Sequence, residues 1–407
     1  MINVFVYVDA LPYEKINAGS APFIYRFISE GKTYRLRNIM GYSFGIQSTL
    51  LSGRLPSETK HFMPYVYAPN SSPFIFKFLA RLSRRLNADV NVPHLLKMIR
   101  YGLMSKLIIR KGVKVNFLPW NIIDRFYIYP YYYMNELPFL ADLRKDFQSK
   151  YGMTVPYFGP PLSKEPIDDA INYVKAMVAT ENAGNSLLMV YVDALDGIGH
   201  AYGVGTEVWK KTLVNIDNEL RMLRRFLNAN LKNWSLTLFS DHGMCNVDRT
   251  IDILSVIKSS GLTRKQITIF VDATLSFIWL EDKSAKYKIL RALEGLSNDK
   301  IVVFRRDKDK EVLREYGVLA DDNRFGDIII QTMPGFMFFP NFYSYLKPFK
   351  GVHGFLPESR YQQSFMTLVV NHSSIGKDQQ IKIDHIKGIR KVLEFLASLG
   401  LNSKSQK

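Results

Sequence analysis

The stretch LTLFSDHGMC, residues Leu236–Cys245, is an apolar run that reads as a buried strand and ends abruptly in Asp241-His242-Gly243. An acid and an imidazole at the rim of a core each cost free energy to desolvate unless they meet a partner. The same grammar recurs elsewhere. Val4-Phe-Val-Tyr-Val-Asp9 runs into an acid, and Leu187-Leu-Met-Val-Tyr-Val-Asp193 is followed by Ala-Leu-Asp196-Gly-Ile-Gly-His200. In a parallel α/β sheet the carboxyl ends of the strands gather on one edge, where ligands bind. Three such strands would bring Asp9, Asp196, His200, Asp241 and His242 within reach of one another. Near the C-terminus, Gly351-Val-His353-Gly-Phe355 adds a histidine between glycines that permit tight turns.

The rest of the chain supports that fold class. Ile2–Val8, Ser186–Val192, Ser235–Phe239, Thr268–Val271, Asp327–Gln331 and Met366–Val370 read as buried strands. Helical patterns over Glu165–Ala179, Glu207–Asn228, Ala285–Leu296 and Ile383–Leu399 alternate with them. The expectation is an α/β fold with a mostly parallel central sheet and helices on both faces. One region breaks the rhythm. Between Phe74 and Lys114 stand Lys77, Arg81, Arg84, Arg85, Lys97, Arg100, Lys106, Arg110, Lys111 and Lys114 against a single acid, Asp89. The aromatic run Phe126-Tyr-Ile-Tyr-Pro-Tyr-Tyr-Tyr133 follows. Residues 62–157 therefore read as an inserted, mainly helical cap on a catalytic domain of residues 1–61 and 158–401, with a polar tail at 402–407.

Composition bounds the partners. The chain has 407 residues and a net charge of +17, which favours anionic partners, whether phosphorylated substrates, anionic lipid or nucleic acid, and charge alone does not separate these. The single cysteine, Cys245, excludes an intramolecular disulfide and fits a reducing compartment. The opening residues read as a strand without a basic leader, and no apolar run is long enough to span a bilayer. A cytoplasmic protein, with peripheral membrane contact as one option, is the expectation, and no specific nucleic-acid binding is expected. For the basic, aromatic insertion three readings stay open: a solvated cap with its own small core, a lid that stacks a base or sugar and holds a second phosphate, and an interfacial membrane contact.

Asp/His clusters of this size suit two divalent ions, with mixed nitrogen and oxygen donors matching Zn²⁺ and also Mn²⁺. Gly41-Tyr-Ser43-Phe-Gly-Ile-Gln-Ser-Thr-Leu-Leu-Ser52-Gly53-Arg-Leu-Pro56 places a hydroxyl just before an apolar helical segment, whose N-terminus would offer N–H groups to an anion. Ser43, with Ser48 and Thr49 as alternatives, becomes a nucleophile only when a base or metal activates it.

Taken together, and in this order, the strand ending in Asp9, the loop Ser43…Thr49-Leu-Leu-Ser-Gly53-Arg-Leu-Pro56, Asp196-Gly-Ile-Gly-His200, Ser240-Asp241-His242-Gly243-Met244 and Val352-His353-Gly354 resemble the alkaline phosphatase superfamily. Within it the resemblance is to the type I phosphodiesterase/nucleotide pyrophosphatase branch. It implies that Asp196, His200 and His353 hold one metal, that Asp9, Asp241 and His242 hold the other with Ser43 Oγ, and that Ser43 is the nucleophile. It further implies a metal-dependent hydrolase acting on a phosphorylated small molecule, such as a nucleotide, sugar nucleotide or lipid-linked phosphate. A monoesterase or phosphotransferase on the same scaffold, and a non-catalytic binding protein, are the alternatives. The branch usually carries Thr where Ser43 stands. Lys60-His-Phe-Met-Pro64 lacks the Asn with which that branch contacts phosphate. Ser43-Phe-Gly-Ile-Gln47 lacks the Pro and Arg of the sulfatase signature, which argues against that branch.

Overall fold

The computed structural model describes residues 1–72, 74–85, 119–129, 133–180, 184–263, 265–296, 298–321, 323–344, 346–372 and 381–402. Its centre is a six-stranded sheet in the order Lys32–Leu36, Ser364–Asn371, Trp234–Ser240, Ile2–Val8, Ser186–Val192, Tyr157–Phe158. Ile2–Val8 pairs in parallel with both Trp234–Ser240 and Ser186–Val192, and the latter pairs in parallel with Tyr157–Phe158. Ser364–Asn371 alone runs the other way, antiparallel to both its neighbours.

The three central strands are buried along their whole length. Their alternation assigns each residue to a face. Phe5, Tyr7, Met189 and Phe239 point into a core built with the helices Ser43–Ser52, Pro138–Tyr151 and Ile389–Asn402. Val4, Val6, Leu188 and Leu236 point into the opposite core, closed by Pro22–Glu30, Pro166–Ala179 and Glu207–Asn230. Burying each such side chain contributes on the order of 1.5–3 kcal/mol, which makes the sheet a rigid base for whatever stands on its edge.

The strands expected at Thr268–Val271 and Asp327–Gln331 belong to a second sheet. Ile267–Val271, Leu275–Leu280, Ile328–Thr332 and Ile301–Arg305 form it, and every pairing is antiparallel. It has its own core, shared with the antiparallel pair Tyr65–Tyr67 and Phe126–Ile128. The C-terminal helix starts at Ile389, later than the expected Ile383, after a short turn at Ile386–Gly388. Residues 86–118, with His94 and the basic run from Lys97 to Lys114, lie outside the described residues, as do Pro130–Tyr132 and residues 403–407 of the expected tail. Among the described residues no helix is long and apolar enough to cross a membrane.

Candidate active site

Three loops leave the same edge of the central sheet. After Val8 the chain turns at Ala10, whose φ of +56° aims its N–H at Asp241 Oδ1, 3.2 Å away. After Ser240, Asp241 and His242 are wholly buried. After Val192 the chain enters the helix Ala194–Tyr202, where Asp196 and His200, one turn apart, lie on one face with His200 Nε2 3.3 Å from Asp196 Oδ1. Gly199 lets Met244 pack close there: a Cβ would run into its sulfur, so the methionine side chain would have to move.

The geometry brings the predicted residues together in two groups. Asp196, His200 and His353 form one, and Asp9, Asp241 and His242 the other, each with potential ligand atoms all within 4.8 Å of one another. His242 and His353 stack with ring centroids 4.0 Å apart, so the groups adjoin. Ser43 opens the helix Ser43–Ser52, with Oγ 3.1 Å from His242 Nε2 and 3.4 Å from Asp9 Oδ1. The alternative hydroxyls face away from the site: Ser48 donates to the Phe44 carbonyl and Thr49 to the Gly45 carbonyl, both at 2.8 Å inside the helix. Asp193 is exposed and caps the 194–202 helix by position only. His61 stacks on Tyr129, and His385 accepts from the Lys387 N–H, so neither joins the cluster. Cys245 is buried and donates to the Asn246 carbonyl, and burial pushes its thiol up.

The tautomers and charges fit a cation in each group. His242 Nδ1 lies 2.9 Å from the Gly243 carbonyl and His200 Nδ1 2.8 Å from the Gly351 carbonyl. A carbonyl only accepts, so Nδ1 carries a proton, and Nε2 is left facing the carboxylates, free to ligate a cation whenever it is unprotonated. The buried Asp196 Oδ1 and His353 Nδ1 have no hydrogen-bond partner. Without a cation the acids strain against one another. Burial, with Asp241 and Asp196 nearby, pushes Asp9 well above the usual carboxylate range. Burial would lower His242, but Asp241 and Asp9 outweigh it and push the imidazole up to about 9. At Asp196 burial is outweighed in turn by His200 and His353, which hold the carboxyl well below its ordinary value. A shell of acids and imidazoles that draws protons and positive charge in this way could hold a metal ion in each group.

The family model that matches residues 3–356 is that of the type I phosphodiesterases and nucleotide pyrophosphatases. The chain belongs to this family. No curated protein matches it. Among solved structures, murine ectonucleotide pyrophosphatase/phosphodiesterase 5, as an inactive variant in complex with AMP, shows a TM-score of 0.64 at 13% identity, over 97% of this chain and 94% of that one. The human protein of the same name gives a TM-score of 0.63 at 14% identity, over the same shares of each chain. At this identity the likeness shows the fold. As a type I phosphodiesterase/nucleotide pyrophosphatase, the chain is a metal-dependent hydrolase of phosphodiester or pyrophosphate bonds.

Several supporting residues carry no motif. Tyr7 donates to Asp241 Oδ2 at 2.7 Å and Tyr191 donates to Asp9 Oδ2. These tyrosines are register partners on adjacent strands. A signal for them was present: Tyr-Val-Asp occurs at both 7–9 and 191–193. Gln362 donates to the carbonyls of Ile39 and Gly41 and accepts from the Phe355 N–H at 2.9 Å, which ties the loop before Ser43 to the loop of His353. Nothing in the sequence singled it out.

Proposed function

We propose that this hydrolase cleaves a nucleotide-type phosphodiester or pyrophosphate through a phosphoserine at Ser43. The observation that carries the reading is the position of Ser43 Oγ, within 3.4 Å of both His242 Nε2 and Asp9 Oδ1 at the mouth of a buried helix. In the proposal Ser43 Oγ attacks phosphorus, the leaving alcohol or phosphate departs on the opposite side, and water then cleaves the Ser43–phosphate bond. The start of the Ser43–Ser52 helix presents N–H groups to the phosphoryl oxygens. Tyr7 and Tyr191 hold the two carboxylates in place, and Gly243 and Gly351 hold the imidazoles with their ring protons turned outward. Asp196, His200 and His353 are assigned to one divalent ion; Asp9, Asp241 and His242, with Ser43 Oγ, to the other, and their nitrogen and oxygen donors favour Zn²⁺ or Mn²⁺. When bound, the pair lowers the pKa of the serine hydroxyl and offsets charge developing on phosphorus. A nucleotide substrate is favoured because the similarly folded murine protein is described in complex with AMP.

The test compares bis-p-nitrophenyl phosphate with p-nitrophenyl phosphate after chelation and again after adding Zn²⁺ or Mn²⁺. A diester preference that returns with metal supports the proposal. Monoester preference would instead favour a monoesterase, and metal-independent behaviour would remove the mechanism. Ser43→Ala should lower turnover about a thousandfold or more while metal stays bound, whereas Ser48→Ala should leave it near wild type.

A further inference from the structure

Large apolar side chains on the described surface are mostly scattered, but four of them stand on one helix. Over Phe74–Arg85, Phe74 is 83% exposed, Phe78 52%, Ile75 48% and Leu82 42%. Phe74, Phe78 and Leu82 follow one another at intervals of four residues, so they form a single row along the helix. The adjacent row, again at intervals of four, is Lys77, Arg81 and Arg85. Ala80 and Ser83, on the opposite side, are buried. The helix contains no acid. Its attachment to the body is specific: Arg84 donates to both carboxylate oxygens of Asp124, at 3.0 and 2.8 Å, and to the Asn121 carbonyl.

This fork holds the apolar row outward. Left in water, such a row is an unfavourable feature that soluble surfaces avoid, and it marks a contact. The neighbouring cations say with what. A second copy of the chain seated on this face would bring the basic rows of the two copies, like charges, together. A nucleic acid would satisfy Arg81 and Arg85 yet leave Phe74 and Phe78 in water. An anionic bilayer offers hydrocarbon and phosphate side by side, as the adjacent apolar and basic rows require. The helix is about 18 Å long, long enough to lie in a headgroup layer and too short to cross a bilayer. The net charge of +17 adds a long-range attraction of the same sign.

We infer that the helix Phe74–Arg85 is a peripheral docking element for anionic lipid surfaces, inserting Phe74, Phe78 and Leu82 among acyl chains while Arg81 and Arg85 engage lipid phosphates. This inference does not depend on the catalytic proposal.

The test is flotation of the full chain with phosphatidylcholine vesicles and with phosphatidylcholine vesicles containing phosphatidylglycerol, at low and high salt. The wild-type chain is expected to float with the anionic vesicles at low salt and not with the neutral ones. The variants F74S/F78S/L82S and R81E/R85E are each expected to lose at least about tenfold in binding, while melting temperature and turnover of a soluble diester stay unchanged. Absence of flotation by the wild-type chain at low salt would overturn the inference without touching the hydrolase assignment. So would flotation that neither variant weakens, or a concentration-dependent dimer that the same substitutions abolish in place of lipid binding.

Discussion

Asp272 gives the sharpest test of the electrostatics around the site. It follows the strand Ile267–Val271, is 6% exposed, and accepts from the Ala273 N–H at 2.6 Å and from the Tyr65 hydroxyl at 3.1 Å. Burial pushes its carboxyl from the ordinary 3.8 to about 7, against the pull of those donors, of Tyr42 and of the more distant His200. The folded chain therefore holds this proton more tightly than the unfolded chain does. Between about pH 4 and pH 7 the native state binds the extra proton, so stability falls as pH rises through that window and stays lower above it. At about 1.4 kcal/mol per pH unit, the full difference is about 4 kcal/mol. Asp272→Asn keeps an acceptor for the Ala273 N–H and removes the ionisation. In metal-free protein, urea unfolding should find the variant equal to wild type near pH 4 and more stable by up to about 4 kcal/mol near pH 8. A difference that does not change with pH, or a variant less stable at pH 8, would refute the reasoning.

Tyr7→Phe removes the 2.7 Å hydrogen bond to Asp241 Oδ2 and should weaken metal binding at the Asp9 group about 10- to 100-fold in a chelator competition, with the fold retained; an unchanged affinity would remove Tyr7 from the site. Gly354→Ala puts a Cβ 2.5 Å from Tyr42 Cε1 at a φ of +86°, so it should cost about 1–3 kcal/mol or more and loosen the loop carrying His353, read by thermal melting and metal content. Asp217 is buried and accepts from the N–H groups of Ile24 at 2.8 Å and Phe23 at 3.2 Å, at the start of the Pro22–Glu30 helix; Asp217→Ala should cost about 2 kcal/mol in chemical denaturation, and Asp217→Asn less.

How much of this was legible depended on whether a residue departed from its local background. Ile2–Val8 and Ser186–Val192 appear with the bounds read from sequence, because strands buried on both faces are apolar throughout and end sharply. Acids and histidines at those ends stand out for the same reason, and the structure gathers them. The second sheet was less visible, since Ile267–Val271 looks like any other buried strand. The clue lay in the connection: only Asp272-Ala-Thr274 separates it from Leu275–Leu280, too little chain for a parallel crossover. The late start of the last helix has a local cause too, because His385 caps the turn at Ile386–Gly388 before the helix begins. Gln362 and Thr274 were invisible, because a glutamine or threonine in a loop carries no pattern until its partners are known.

Those silent residues explain how a cluster spanning Asp9 to His353 is held together by the fold. Asp9, Asp241 and the 194–202 helix are fixed by adjacent parallel strands, but His353 comes from a loop with no strand of the central sheet beneath it. Thr274, from the hairpin of the second sheet, lies within hydrogen-bond distance of the carbonyls of His353 and Gly354 at 3.0 and 2.9 Å, and its N–H donates to the hydroxyl of Tyr42, the residue before Ser43. Gln331 donates to the carbonyls of Thr274 and Gly354, and Gln362 joins Gly41 to Phe355. All of these bonds but the part-buried one to Tyr42 are buried, where leaving either partner unsatisfied costs about 1–3 kcal/mol, so together they hold the loop of His353 in place. The second sheet thus does for His353 what the central sheet does for the other candidate ligands. Its antiparallel topology, which the alternating rhythm of the sequence concealed, is what lets a short turn at Asp272–Thr274 reach the catalytic edge.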